Sequence, residues 1–381
     1  MALLMSGVRV LDVGTMTPGK YCTFLLADMG ASVLRVERPA SAGGQVAAED
    51  LLLNRGKQSM TLDLRSERGQ EILARLLDQT DVVIESHRPG VADRIGLGWS
   101  QLHDRWPNLV LCSLSGFGQN GPRSSAPAFD LNLLASSGML SALTPSGTRP
   151  TAPAAWLSDA VSGLTATLAI SAAVGAVGRG GNGVHLDIAM LDSIFSALSL
   201  SHGQRQEGGP VVTDPAALDP SPIYGIYEAA DGRHLALAAW RPTSCRALFE
   251  ELGRSDLEAK VWAGQQHAAE VTEFLTHTFM TAPAAEWIER LAPLDVEITL
   301  VATPDEAFED SQLRARAMVV DQTSADGKTI SQASSPIRID GETRNEPLGA
   351  APAIGADTAD VLASVGVDPS VLAELRAEGV V

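Results

Sequence analysis

The sequence predicts an α/β protein: a large open-sheet unit followed by a smaller α/β unit. Three observations carry this reading. Short apolar runs rich in Val, Ile and Leu recur along the first third of the chain, most of them followed by a turn and a helical pattern, the alternation of a parallel sheet. The 381 residues are 45% hydrophobic and 19% charged, a globular composition with enough length for two cores. A polar stretch rich in Gly and Pro, Gln204 to Ser221, separates the first pattern from a second one. The organisation expected is therefore a large domain over residues 1–203, a linker over 204–221, a small domain over 222–322, and a C-terminal segment, 323–381, that returns to the large domain.

Val8-Arg-Val-Leu-Asp12-Val reads as a first buried strand, Thr15–Gly19 as a turn, and Lys20 to Met29 as a helix. A second strand follows at Val33–Glu37, which completes a βαβ unit. No GxGxxG follows the first strand, so NAD binding is disfavoured. The chain then reads as loop to about Glu49, and Asn54 to Leu64 contains a turn and a third strand. Ser66 to Gln79 is an amphipathic helix with Ile72, Leu73, Leu76 and Leu77 on one face. Asp81–Glu85 and Leu109–Leu114 are the fourth and fifth strands; Pro89-Gly90 and the Gly116–Gly121 loop punctuate them. Residues 130–177 read as helical, broken over Thr144–Pro153, with Leu164–Val177 as a buried small-residue helix. A strand at Val184–Ile188 and a helix at Asp192–Leu200 close the large unit. The smaller unit pairs strands Ile223–Ala229 and His234–Ala239 with helices near 243–252, 268–280 and 284–291, and the last helix is Pro369–Glu378.

The net charge of −18 argues against nucleic acid as a partner. Residues 1–110 carry 12 Lys and Arg against 13 Asp and Glu, whereas the rest carries 16 against 33. An anionic ligand therefore finds its basic contacts in the first third. Cys22, Cys112 and Cys245 have no CxxC spacing, which disfavours structural zinc and a disulfide framework and points to a reducing cytoplasm. No run of 18 or more apolar residues occurs, and the start lacks the basic region of a signal peptide, so neither a membrane nor secretion is expected.

The chemistry centres on Asp159, an ionisable residue at the mouth of a long apolar helical pattern. It reads either as an N-cap, held anionic by the helix dipole, or as a reactive carboxylate. Arg38, Arg65, Arg88 and Arg94 lie near strand ends, where forked donors suit phosphate oxygens or simply face water. The Gly116–Gly121 loop either brings amides to an anion or only connects.

These residues carry a resemblance to the class III CoA-transferase family, which includes formyl-CoA transferase, carnitine CoA-transferase and α-methylacyl-CoA racemase. The matching stretches are Gly7–Asp12, Ala27–Glu37, Asn54–Asp63, Asp81–Glu85, Arg88–Gly96, Ser115–Pro122, Phe129-Asp130, Ser158-Asp159 and Gly355–Thr358, in order along nearly the whole chain. The resemblance implies a Rossmann-like large domain, a small domain, and a homodimer whose chains interlock as rings. It implies acyl-CoA and a carboxylic acid as substrates, with no metal. It places Arg38, Leu62, Arg65, Ser86, Arg88 and Arg94 against coenzyme A, and Thr17 in a turn facing the acyl group. His87 either touches the adenine side of CoA or is a loop histidine. Asp159 falls on the aspartate that transferases use as nucleophile and racemases as an acid/base group.

Two departures from the racemase pattern matter. Phe129 stands where racemases have His, and Arg241 aligns where they have Glu. Moving a proton from one face of a carbon to the other needs two titrating groups, and neither Phe nor Arg titrates near neutrality. Transferases often pair an aromatic residue with an acid at this place, which Phe129-Asp130 fits. Arg241 either holds a second carboxylate of the substrate or is structural, and Asp130 either tunes Asp159 or caps a helix at Leu131. Oxyanion donors are sought after Gly116 or near Gly208-Gly209. The expected activity is acyl-CoA:carboxylate CoA transfer through an aspartyl anhydride. The alternatives are a 2-methylacyl-CoA racemase and a non-catalytic CoA-binding subunit.

Overall fold

A computed structural model describes residues 3–39, 48–144, 148–206, 221–263, 267–323, 329–340 and 349–381. The chain divides into two compact units. The first comprises residues 1–144, 149–211 and 315–381, and the second 145–148 and 212–314.

The first unit is built on β1 (Arg9–Asp12), α1 (Thr17–Asp28), β2 (Ser32–Glu37), α2 (Ala48–Leu53), β3 (Gln58–Thr61), α3 (Glu67–Leu77), β4 (Val82–Glu85), α4 (Val91–Arg94), α5 (Trp99–Arg105) and β5 (Val110–Ser115). Then come α6 (Asp130–Ser137), α7 (Met139–Ala142), α8 (Leu157–Val177), β6 (His185–Ala189) and α9 (Met190–Gln206). The six strands pair in parallel in the order β3-β2-β1-β4-β5-β6. Both sheet faces are covered, so the strands are near-continuous apolar runs whose alternate residues enter two cores. Leu11, Val83 and Leu111 join α3 and the C-terminal helices on one face. Val10, Val82, Ile84, Val110 and Cys112 join α1 and α8 on the other.

Local chemistry fixes the ends of these elements. Ser66 caps α3 by accepting from Gly69 N at 3.0 Å, and Ile72, Leu73, Leu76 and Leu77 are buried as the periodicity requires. The C-terminal segment covers the edge strand β3. Asp357 Oδ2 accepts from Ser59 N (2.8 Å) and Thr358 Oγ1 from Thr61 N (3.1 Å), which satisfies donors an open edge exposes. Gly163 lets α8 approach α1 closely, since a Cβ there would stand 2.9 Å from Pro18 O and Tyr21 Cδ1.

Several sequence expectations need correction. Helix α1 starts at Thr17, three residues early, because Pro18 suits a first turn. Helix α2 occupies part of the segment read as loop, and α5 was not expected. Helix α8 starts at Leu157, seven residues before Leu164, and it is not a buried helix throughout: Leu164 and Leu168 are 47% and 72% exposed. At 21 residues, with a mean hydropathy of 1.8 over an 18-residue window, α8 is long and apolar enough, by length and composition alone, to cross a membrane. It nevertheless carries Ser158, Ser162, Ala166 and Ile170 buried in the first unit.

The second unit holds an antiparallel three-stranded sheet of Tyr224–Glu228, His234–Ala238 and Ile298–Leu300. Helices Pro242–Glu251, Asp256–Trp262, Ala268–Phe279 and Ala284–Leu291 accompany it. Phe279 anchors its core, with its ring centroid 5.2 Å from Tyr227 and 5.3 Å from Trp287. The strand Ile298–Leu300 and the helix Asp256–Trp262 were not expected; three and seven residues give little periodicity to read.

Candidate active site

In a parallel sheet all strands end at one edge. The strand order reverses between β1 and β4, and ligands of doubly wound folds bind in the crevice beyond such a switch point. Here that crevice is framed by the β1–α1 loop and the end of β4. Asp12 Oδ1 accepts from Gly14 N (2.9 Å), and Ser86 Oγ accepts from Thr15 N (2.8 Å) and Met16 N (3.1 Å). The loop backbone is thus pinned from both sides. The Thr17 N–H, next in line at the first residue of α1, has no acceptor among the described residues. A cleft of about 180 Å³ opens here, lined by Met16, Ser86, His87, Arg88, Ser115 and Phe129 among others. A larger hollow, about 580 Å³, opens at the opposite, amino edge of the sheet near Arg9, Asp81 and Trp106, and holds none of the residues singled out from sequence.

Asp159 is the third residue of α8, inside its first turn, so it is not the N-cap. Trp156 occupies that position and makes no side-chain cap. The capping comes from across the helix pair. Asp130 Oδ1 accepts from Ser158 N (2.7 Å), Ser158 Oγ (2.6 Å) and Asp159 N (3.3 Å). Asp130 therefore caps α8 rather than a helix at Leu131; its own helix, α6, begins at Asp130 with Phe129 as N-cap. The Asp159 side chain is half-buried, and among the described residues its carboxylate has neither a hydrogen-bond donor nor an ion-pair partner. Burial pushes its pKa up to about 6, with Asp130 and Glu49 adding negative charge nearby. The helix dipole was expected to keep this group readily anionic; burial outweighs it. One turn on, Gly163 packs against Pro18 and Tyr21, and Thr167 bonds Cys22. These contacts step along both helices in the same direction, which sets Asp159, on the same face, toward the start of α1.

The structure distributes the other sequence candidates clearly. Arg38 follows β2, Arg65 precedes α3, and Arg88 and Arg94 follow β4; all four are exposed on the carboxyl-edge connections. None has a salt bridge or side-chain hydrogen bond among the described residues, whereas Arg35, Arg55 and Arg68 are all paired. Thr17 is half-buried at the start of α1. Ser86 is occupied with the β1–α1 loop. Leu62 is 2% exposed and its side chain belongs to the core, so only its backbone faces the rim. His87 is fixed by Glu85, whose Oε2 lies 2.7 Å from His87 N and 3.2 Å from Nδ1. Phe129 is 82% exposed at the cleft.

Arg241 lies in the second unit, where it N-caps the helix Pro242–Glu251. Its guanidinium meets Glu297 Oε1 at 2.5 Å and Asp295 Oδ2 at 3.0 Å. In the Gly116–Gly121 loop, Gln119 N is spent on Asp187 (3.0 Å) and Gly116 O accepts from Leu191 N, so these contacts are structural. Gly208-Gly209 and most of the linker lie outside the described residues. No group of three or more metal-ligating side chains occurs among the described residues. Sequence reading missed Ser115, Glu85 and Asp12 as parts of the site; their positions at the ends of β5, β4 and β1 are the signal that marks them.

The fold and rim define an α/β enzyme scaffold with unpaired arginines at the carboxyl edge and a bare carboxylate at a helix start. Comparison with known proteins then assigns it. The model of CoA-transferase family III matches residues 5–358, and the chain belongs to that family. It is 32% identical to alpha-methylacyl-CoA racemase of Mus musculus over 390 residues, covering all of this chain and 98% of the relative. It is equally 32% identical to succinyl-CoA:mesaconate CoA-transferase of Haloarcula marismortui over 388 residues, covering 95% and 96%. A crystal structure of a protein from Mycobacterium tuberculosis superposes with a TM-score of 0.80 at 28% identity, covering 94% of this chain and 98% of that one. A CAIB/BAIF family protein from Brucella suis shares the fold, with a TM-score of 0.80 at 24% identity over 96% of this chain and all of that one. Family membership implies CoA thioester substrates.

Proposed function

We propose that the protein transfers CoA between an acyl-CoA thioester and a carboxylic acid, with Asp159 as the nucleophile. The observation that carries the reading is the unpartnered Asp159 carboxylate at the start of α8, with no second titrating group at position 129. The carboxylate attacks the thioester carbonyl, the C–S bond breaks, and CoA leaves as thiolate, so a mixed anhydride forms without a general acid. Return of the thiolate to the aspartyl carbonyl frees the first acid and leaves an aspartyl-CoA thioester. The incoming acid attacks this, expelling the thiolate and forming a second anhydride, whose new acyl carbonyl the thiolate attacks to give the product acyl-CoA and restore the Asp159 carboxylate. A carboxylate with a pKa near 6 is ionised at neutral pH and more basic than a free one. The free Thr17 N–H is the donor offered to the tetrahedral oxyanion. Arg38, Arg65, Arg88 and Arg94 bind the phosphates of CoA.

Hydroxylamine trapping tests this directly. Incubation with acyl-CoA, succinyl-CoA included, gives a hydroxamate at Asp159 by mass spectrometry, and Asp159→Ala lowers transfer by about 10⁴-fold. Full activity of Asp159→Ala, or no trapped adduct with any thioester tried, sinks the proposal.

A racemase reading has the resemblance to the mouse enzyme in its favour. It predicts solvent deuterium at the α carbon of a 2-methylacyl-CoA without exchange of CoA.

The proposed assembly is a homodimer. Leu164, Leu168 and Phe195, on α8 and α9, are exposed apolar side chains of a size that marks an interface. Light scattering at twice the chain mass supports it; a monomer at micromolar concentration contradicts it.

A further inference from the structure

Ser115 is the last residue of β5, is 5% exposed, and forms part of the cleft wall with Met16, Ser86 and Arg88. Its Oγ is shut off from solvent and has no hydrogen-bond partner among the described residues. Two neighbouring serines are not in that condition. Ser113, two residues back on the same strand, meets His185 Nε2 at 2.9 Å, and Ser86 Oγ accepts two backbone amides. A buried hydroxyl left without a partner costs the folded protein free energy, so folds keep few of them. One kept in the wall of a ligand cleft marks the place where a ligand completes the bond.

We propose that Ser115 is a ligand-binding residue whose hydroxyl donates to an amide carbonyl of the pantetheine arm of an acyl-CoA lying in this cleft. The inference rests on the acyl-CoA reading given above. The cleft lining combines small or apolar residues, Met16, Gly116, Ala126, Pro127, Ala128 and Phe129, with the polar Ser86 and Ser124 and the basic His87 and Arg88. The apolar part suits a slim neutral chain, and Arg88 with the other exposed arginines of the rim remains for the phosphates. Within CoA, the neutral arm carries amide carbonyls as acceptors, and a hydroxyl donor is their complement.

Ser115→Ala and Ser115→Thr distinguish this role from a structural one. Calorimetry with free CoA reads affinity, and thermal melting of the ligand-free protein reads stability. Ser115→Ala binds CoA roughly 5- to 10-fold more weakly, the worth of one net hydrogen bond. It also melts at or above the wild type without ligand, because an unsatisfied group has been removed. Its KM for acyl-CoA rises by the same factor while kcat holds, as for an interaction made equally in the ground and transition states. Ser115→Thr, which keeps the hydroxyl, keeps the affinity. A Ser115→Ala protein that melts lower and binds CoA as the wild type does overturns the assignment. Wild-type protein that binds no CoA overturns the acyl-CoA reading itself; wild type and Ser115→Ala binding alike overturn only the Ser115 role.

Discussion

Asp12 and Asp159 are aspartates of the same unit, and their surroundings are opposite. Asp12 is 1% exposed and saturated: Gly14 N and Thr23 Oγ1 donate to it at 2.9 and 3.0 Å, and Arg35 stands 3.4 Å away. Behind it, Lys57 Nζ donates to Thr23 Oγ1 (2.7 Å), Asn54 Oδ1 (3.0 Å) and Lys20 O (3.1 Å). Even so, burial pushes the Lys57 ammonium down to about 7, against the pull of Asp12. Asp159 is half-buried and bare. The fold spends its donors where they hold the β1–α1 loop in place, and among the described residues gives none to the Asp159 carboxylate. The arginines divide the same way, with Arg35 and Arg55 buried and paired beneath the rim and Arg38, Arg65, Arg88 and Arg94, among the described residues, unpaired along it. Saturated charges build a scaffold; bare ones are held ready for a ligand, at some cost to the folded state.

A matched pair of substitutions breaks or sharpens that contrast. Arg35→Met removes the guanidinium beside a fully buried carboxylate. It destabilises the protein by about 3 kcal/mol, read as a lower denaturation midpoint, while CoA affinity of the folded protein at low temperature stays within about twofold. Arg38→Ala does the reverse. Stability stays within about 0.5 kcal/mol, as for an exposed residue without contacts, and CoA binding weakens about 10-fold at low salt and less at high salt. If Arg38→Ala lowers stability as much as Arg35→Met does, the division between scaffold and rim is wrong.

Much of this scaffold was legible in the sequence, because β1, β2, β4 and β5 carry apolar residues to both faces and are punctuated by Gly and Pro. The family followed from motifs such as Asn54-Arg-Gly-Lys57, yet what that motif does was not legible. Its Arg and Lys side chains turn inward to grip α1 at Lys20, Thr23 and Asp28 while Asn54 Oδ1 accepts from Lys57, a tertiary arrangement that no local pattern encodes. The start of α8 was misplaced for a related reason. Its cap is supplied by Asp130, 28 residues earlier, so the usual signal of a Ser, Thr, Asp or Asn just before the first turn is absent. The chain alone leaves Arg241 open between a second substrate carboxylate and a structural role; its ion pairs with Asp295 and Glu297, more than fifty residues later, were not legible from its neighbours in the chain. The unpaired state of the rim arginines was beyond sequence too, since pairing depends on what folding brings near.

The smallest effect expected is also the one that separates a bare nucleophile from a structural carboxylate. Asp159 has a folded pKa near 6 against an ordinary 3.8, so the folded state holds its proton more tightly than the unfolded one. Raising pH therefore removes stability between about 4 and 6, and the penalty is complete above that range. Two pKa units correspond to about 3 kcal/mol, but a half-exposed carboxylate is screened by solvent, and its place near the positive end of α8 returns ~0.5 kcal/mol. Asp159→Asn, which cannot ionise, should then be more stable than the wild type by about 1 kcal/mol at pH 7.5 and equal to it near pH 3.5. Melting both proteins across this range reads the difference directly. A variant that melts below the wild type at pH 7.5 would mean that the ionised carboxylate supports α8 more than its burial costs. In that case Asp159 is a structural charge, and the aspartyl anhydride loses its physical basis.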